Sequence, residues 1–247
     1  MARQGAPRVT AGAEGTASVE GAPPSLDEGF LRITEIFHSI QGESTWAGLP
    51  CTFVRLTGCP LRCVWCDTEY AFTGGERMSF DAILERVANW PTRLVEITGG
   101  EPLAHKGAVR LAERLLQAGY TVLVETSGAF DISALPGGLH VIMDLKCPGS
   151  GESHRNRWEN LAHLDGDDEV KFVVADEADW AWAEETIRER SLDRRVRDGS
   201  LRALLVSPVW DRIDLEKLAG WILSSGLPVR FQMQLHKLVW GAHTPGV

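Results

Sequence analysis

Residues Cys59–Asp67 read Cys-Pro-Leu-Arg-Cys-Val-Trp-Cys-Asp, and no other stretch constrains the chain as strongly. Three thiols, Cys59, Cys63 and Cys66, share one short loop in the spacing C-x3-C-x2-C. Soft thiolates grouped in this way select zinc, copper or an iron–sulfur cluster. A four-iron cluster ordinarily takes four cysteine ligands. No fourth cysteine follows at short spacing, so a cluster held here keeps one iron free of protein. An open metal position is where a substrate or cofactor binds. The alternative is a structural zinc site that takes Cys51 or a histidine as its fourth ligand.

The remaining composition narrows the setting. A chain of 247 residues, 44% of them hydrophobic, suffices for one α/β domain with a substantial core. Residues 1–28 are rich in Ala, Gly, Pro, Ser and Glu. They bury too little to offset their ordering entropy, and a flexible N-terminal tail is expected ahead of a domain at 29–247. No run approaches about 18 apolar residues, so no membrane span is expected. Arg3 and Arg8 are followed by no apolar segment, which argues against a secretory signal. Five cysteines, three of them crowded together, suit a reducing cytoplasm and a metal site better than a disulfide framework. A net charge of −9 argues against a nucleic-acid partner, which needs a basic face.

Along the chain, strand patterns alternate with helix patterns. Strands are predicted at Leu31–Phe37, Cys51–Leu56, Leu94–Thr98, Tyr120–Glu125, Leu139–Leu145, Glu169–Val174, Arg202–Val206 and Val229–Gln232. Helices are predicted from Ser79 to Asn89, and over Lys106–Ala118, Arg157–Leu164, Glu177–Arg190 and Leu215–Leu223. This order indicates a parallel sheet with right-handed crossovers. Polar residues gather just after the strands: Thr98–Glu101, Thr126, Asp144–Lys146 and Ser207. In parallel α/β folds the carboxyl ends of the strands form the site. Gln41 and Glu43, in the loop after the first strand, offer donors and acceptors suited to a heterocycle edge. Arg55, at the end of the second strand, has the planar fork that clamps a carboxylate. Spacing alone reads Asp67 and Thr68 as a polar turn, and Cys51 and Cys147 as core residues.

With Trp65 directly before its last cysteine, the loop resembles the signature of radical S-adenosylmethionine enzymes. Gly99-Gly100-Glu101, one βα unit later, resembles their Gly-Gly-Glu motif. The resemblance implies a [4Fe-4S] cluster on Cys59, Cys63 and Cys66, with the open iron chelated by S-adenosylmethionine. It further implies that Glu101 meets the methionine amino group, and that the fold is a shortened parallel β/α barrel.

Three further segments narrow the resemblance: Glu35–Ser44, Arg55-x3-Cys59 running into Cys66-Asp67-Thr68, and Gln234-Leu235-His236-Lys237-Leu238-Val239-Trp240. Together they resemble the 7-carboxy-7-deazaguanine synthases over about residues 31–247. This resemblance implies magnesium at Thr68. It implies 6-carboxy-5,6,7,8-tetrahydropterin held by Ile40, Gln41, Gly42, Glu43, Arg55, Thr98, His236 and the carboxylate of Val247. It places S-adenosylmethionine along Trp65, Cys66, Asp67, Gly100, Glu101, Asp144, Leu145, Lys146, Ser207, Pro208, Val209 and Trp210. It also implies ring contraction with loss of ammonia, an electron donor such as flavodoxin, and a homodimer. Two other readings are weighed beside it: a glycyl-radical-enzyme activase, and a non-catalytic binding module held by zinc.

Overall fold

The computed structural model describes residues 29–242 and 244–247, so the predicted tail at 1–28 lies outside the described residues. The chain opens with an antiparallel pair, β1 (Phe30–Ile40) and β2 (Pro50–Leu56), with Ile36 opposite Val54. A third strand, β3 (Glu76–Ser79), flanks β1 on its other side, also antiparallel. This corner departs from the all-parallel expectation. The 41–49 connection holds no helix, and a parallel neighbour would need a longer crossover.

Beyond β2 the sheet is parallel. Ser79 caps α1 (Phe80–Val87) by accepting the Ala82 amide at 3.2 Å, and β4 (Leu94–Gly99) follows. Then come α2 (Gly107–Gln117), β5 (Thr121–Thr126), β6 (Leu139–Asp144) and β7 (Glu169–Val174). The chain continues through α3 (Glu177–Glu189), α4 (Leu192–Asp198), β8 (Ala203–Pro208), α5 (Leu215–Ser225), β9 (Val229–Phe231) and α6 (Leu235–Trp240). The strand order is β3-β1-β2-β4-β5-β6-β7-β8-β9, an open sheet consistent with a partial barrel. The segment predicted as a helix at Arg157–Leu164 is a run of 3-10 turns, Trp158–His163. Its buried Asn160 spends its amide on the carbonyls of Gly128 and Phe130, at 3.0 and 2.7 Å. The strand β3 and the helices α4 and α6 had no clear signal, because all are short and little of each is buried.

Alternation sorts the strand residues onto two faces. Val95 and Ile97 of β4, Val122 and Val124 of β5, Val141 and Met143 of β6, and Val170 and Phe172 of β7 pack beneath the helices. Their neighbours turn to the inner face. There Cys51, Phe53, Leu94, Leu123 and Ile142 form a small apolar floor. Above it, toward the carboxyl ends, the same face carries Glu96, Thr98, Glu125, Asp144 and Lys171, all lining one cavity. Cys51 belongs to the floor and Cys147 to the helix-side core, as their packing role requires.

One glycine is decisive for the end of β4. Gly99 has φ +145, and a Cβ there would stand 2.7 Å from the Leu56 nitrogen. Gly99→Ala is expected to destabilise the protein by about 2 kcal/mol or more, from backbone strain and overlap together. Chemical unfolding of the cofactor-free protein measures it.

Candidate active site

The cavity above the apolar floor has a volume of about 930 Å³. That is at the upper end of the range typical of small-molecule sites, about 300–1,000 Å³. Its wall gathers side chains from distant parts of the chain, including the cysteine loop, the strand ends and the C-terminal segment.

Cys59, Cys63 and Cys66 are half-buried and all face the cavity. Their loop is held by its neighbours. The Val64 amide donates to the Ser150 carbonyl at 3.0 Å, and the Arg62 amide to Glu152 at 2.8 Å. The Glu101 amide donates to the Gly58 carbonyl at 3.0 Å, drawing the end of β4 against the start of the loop. Gly100 makes this approach feasible, since a Cβ there would lie 2.6 Å from the Cys59 Cβ. Burial raises all three thiols, Cys63 to about 11. A metal centre has to overcome that, because only thiolate ligates well. Among the described residues, no three His, Cys, Asp or Glu side chains gather tightly enough to hold a single metal ion.

Not every residue expected along the cofactor reaches the cavity. Trp65, Cys66, Asp67, Gly100, Asp144, Lys146, Pro208, Val209 and Trp210 do. The side chains of Glu101, Leu145 and Ser207 do not. Glu101 is fully buried and turned toward β5, where its carboxylate accepts from the Leu103 amide, Thr126 Oγ1, the Ser127 amide and Ser127 Oγ, at 2.9, 2.8, 2.7 and 2.5 Å. It braces two strand ends. Leu145 packs in the helix-side core, because alternation turns it away from Asp144 and Lys146. Ser207 is buried at the end of β8, and its Oγ has no partner among the described residues.

Asp144 and Lys146 form an ion pair at 2.8 Å on the cavity rim. Burial alone would lower the Lys146 ammonium, but the Asp144 carboxylate raises it. The Lys146 backbone is fixed by Asn156, which accepts its amide at 2.9 Å and donates to its carbonyl at 3.0 Å. Asp144 Oδ1 is buried and unpartnered among the described residues.

The loop after β1 builds a further part of the cavity wall, a recess lined by Ile40, Gln41, Gly42 and Glu43. Gln41 donates its amide to Glu96 and accepts the Glu43 backbone amide at 2.8 Å, so its orientation is fixed. Ile40 and Thr98 also line this region. The C-terminal segment clamps the loop from outside. Gln232 accepts the Ser44 amide at 2.9 Å and Gln234 donates to Glu43 at 2.7 Å, while the Leu235 amide donates to the Gly42 carbonyl at 3.0 Å. Gly42 has no side chain because the His236 ring occupies the place of its Cβ. Burial lowers the His236 ring below its ordinary value, against the pull of the Glu43 carboxylate. Arg55 donates its Nε to Glu35 at 2.8 Å, and Tyr70 shares that carboxylate at 2.8 Å. Val247 also lines the cavity.

The sequence assigns no individual role to Lys237 or Lys171, although both matter here. Lys237 Nζ donates to Asp67 Oδ2 at 2.6 Å and ties α6 to the cysteine loop. Burial would raise the Asp67 carboxyl, but Lys237 holds it well below the usual carboxylate range. Asp67 Oδ1 accepts Thr68 Oγ1 at 2.8 Å, as expected of a polar turn. Lys171, on β7, pairs with Glu43 at 2.8 Å and with Glu125. A charged residue inside an otherwise apolar strand was the available signal for Lys171, Glu96 and Glu125.

Residues 53–142 match the Radical SAM superfamily. The 7-carboxy-7-deazaguanine synthase of Koribacter versatilis is 44% identical, covering 88% of this chain and 100% of that protein. That of Chlorobaculum tepidum is 40% identical, covering 88% of this chain and 97% of that protein. The chain belongs to the 7-carboxy-7-deazaguanine synthase family. Membership implies a [4Fe-4S] cluster and S-adenosylmethionine, and it sets aside the activase and the zinc-held module. The crystal structure of QueE from Escherichia coli shares the fold, with a TM-score of 0.66 at 24% identity, covering 83% of this chain and 94% of that one. Among the described residues no helix is long and apolar enough to cross a membrane.

The brace formed by Glu101 is testable without any cofactor. Glu101→Ala strands the Thr126 hydroxyl and the Ser127 amide, and is expected to cost about 3 kcal/mol. Equilibrium denaturation of the cofactor-free protein measures it, and Glu101→Gln should also destabilise, because its NH2 would face the Leu103 or Ser127 amide donor.

Proposed function

We propose that the chain converts 6-carboxy-5,6,7,8-tetrahydropterin to 7-carboxy-7-deazaguanine with release of ammonia. The observation that carries this reading is a single cavity lined both by three thiols and by amide and carboxylate groups held in place by hydrogen bonds. The family relatives named above carry the same activity in their names.

The residues present fit the expected cofactors. Cys59, Cys63 and Cys66 would each meet a different iron, leaving the fourth open toward the cavity. Gly100 lets the end of β4 pack directly against Gly58 and Cys59. The unpartnered Asp144 Oδ1 offers an acceptor to the cofactor, and the Lys146 ammonium a charge for its carboxylate. Trp65, Pro208, Val209 and Trp210 would flank its nucleoside. Glu101, Leu145 and Ser207 would act only through backbone or packing. When bound, the cluster and S-adenosylmethionine would supply radical chemistry that abstracts hydrogen from the substrate.

The chain's own task is to orient the pterin and keep water away. Arg55 keeps its terminal nitrogens for the substrate carboxylate while Glu35 holds its Nε, with Phe37 and Tyr70 beside the guanidinium at 5.7 and 5.9 Å. Misplacing the reacting carbon by about 1 Å would be costly. Gln41, Glu43, Thr98 and His236 would read the heterocycle, with Ile40 and Gly42 shaping its bed and the Val247 carboxylate closing the recess. Thr68 and Asp67 lie together at the cavity wall, and magnesium needs only one or two protein oxygens. The ion would template the substrate carboxylate. An external one-electron donor of the flavodoxin type would serve the thiol end, where Val64 is exposed. Leu238, Val239 and Trp240 are exposed on α6 and would support pairing with a second copy. Three free thiols in one cavity suit a reducing cytoplasm.

Anaerobic reconstitution followed by dithionite and the carboxypterin tests the reading: product and ammonia are expected, and bound zinc without iron would reject it. Cys63→Ala should lose iron and sulfide while its far-ultraviolet circular dichroism stays unchanged. Thr68→Ala should raise the magnesium concentration needed for half-maximal turnover by about tenfold or more, and leave S-adenosylmethionine cleavage intact. An unchanged magnesium dependence would refute the assignment of that ion.

A further inference from the structure

One buried cation touches both halves of the cavity. The Lys171 ammonium donates to Glu43 Oε2 at 2.8 Å and to Glu125, and it stands 3.9 Å from Asp144 Oδ2. Glu43 belongs to the substrate recess. Asp144 belongs to the cofactor rim, where the same Oδ2 accepts from Lys146 at 2.8 Å. Lys171 therefore stands between the substrate recess and the cofactor rim, close to a carboxylate of each.

A purely structural role explains this poorly. The strands β6 and β7 are already joined by backbone pairing, with Asp144 opposite Lys171. Burying an ammonium and several carboxylates costs more than packing apolar side chains of similar volume. Three carboxylates also compete for one ammonium. Burial pushes Glu125 up despite Lys171, whereas Lys171 and Gln234 overcome burial at Glu43 and hold its carboxyl low. The ammonium is thus shared unequally, and a ligand that donates to either glutamate changes the sharing.

We propose that Lys171 is a positioning residue that couples the two halves of the cavity: a heterocycle donating N–H groups to Glu43 or Glu125 releases the ammonium toward Asp144. A shift of about 1 Å brings the Lys171–Asp144 pair to hydrogen-bond length. Asp144 Oδ2 then has a second cation, and Lys146 is freed to meet the carboxylate of S-adenosylmethionine. Substrate thereby tightens the cofactor, and the cofactor tightens substrate by the same factor. The inference rests on the reading of the cavity given above.

Equilibrium titration of the reconstituted anaerobic protein tests it. S-adenosylmethionine is titrated alone and with saturating carboxytetrahydropterin, without reductant. The wild-type dissociation constant should fall about fivefold or more when the pterin is present. Lys171→Met keeps a stem of similar size without charge, and should abolish that ratio while iron content stays normal. Lys171→Arg should restore part of it. Glu125→Gln removes one competitor for the ammonium, so S-adenosylmethionine alone should bind more tightly than to the wild type; this arm stands even if Lys171→Met does not fold. Binding of both ligands without linkage in the wild type, an unchanged ratio in Lys171→Met, or unchanged affinity in Glu125→Gln each overturns the coupling. Failure of the wild type to bind either ligand instead overturns the functional reading on which it rests.

Discussion

A lysine ammonium held away from water, between carboxylates from three parts of the chain, organises the interior of this protein. Lys171 joins β7 to Glu125 of β5 and to Glu43 of the loop after β1. Each buried ion costs several kcal/mol in lost hydration, and the mutual attraction repays this only with good geometry. Such a network is a poor source of stability. It does fix where each carboxylate lies, and a cavity that must orient one small heterocycle depends on that.

The sheet keeps this cost separate from its stability. Stability comes from the helix-side face, where valine, isoleucine, leucine and phenylalanine of β4–β8 are buried almost completely. The inner face has only a small apolar floor and gives its upper part to charged groups. Two devices let ligands approach that upper part. Glycines at 99 and 100 let the end of β4 lie against Leu56 and Cys59. A buried acceptor without a partner among the described residues, Asp144 Oδ1, belongs to a residue of the cavity wall. An unpaired buried oxygen ordinarily costs stability, and a ligand in the cavity would satisfy this one.

The C-terminal segment completes the site from far away in sequence. Gln232, Gln234, His236 and Lys237 reach back to Ser44, Glu43, Gly42 and Asp67. One short helix thereby ties the recess to the cysteine loop. This arrangement makes the two ends of the cavity one mechanical unit.

Much of this was legible in the chain itself. The three thiols name their own chemistry, and the β/α alternation places ligand residues at strand ends, because period and spacing are local properties. The parallel strands match their expected bounds closely, since short β-branched, largely apolar runs mark strands buried on both faces. Three things were decided only by tertiary structure. Glu101 reads as a ligand by motif, yet it turns to Thr126 and Ser127, because side-chain direction at a strand end is set by its neighbour. The antiparallel start and the short α6 depend on long-range pairing that no local pattern encodes. The partners of Lys171 lie 46 and 128 positions away, and only the register of the sheet brings them together. The sequence by itself determined which chemical groups face inward; the folded sheet decided which of them meet, because that depends on distances across strands.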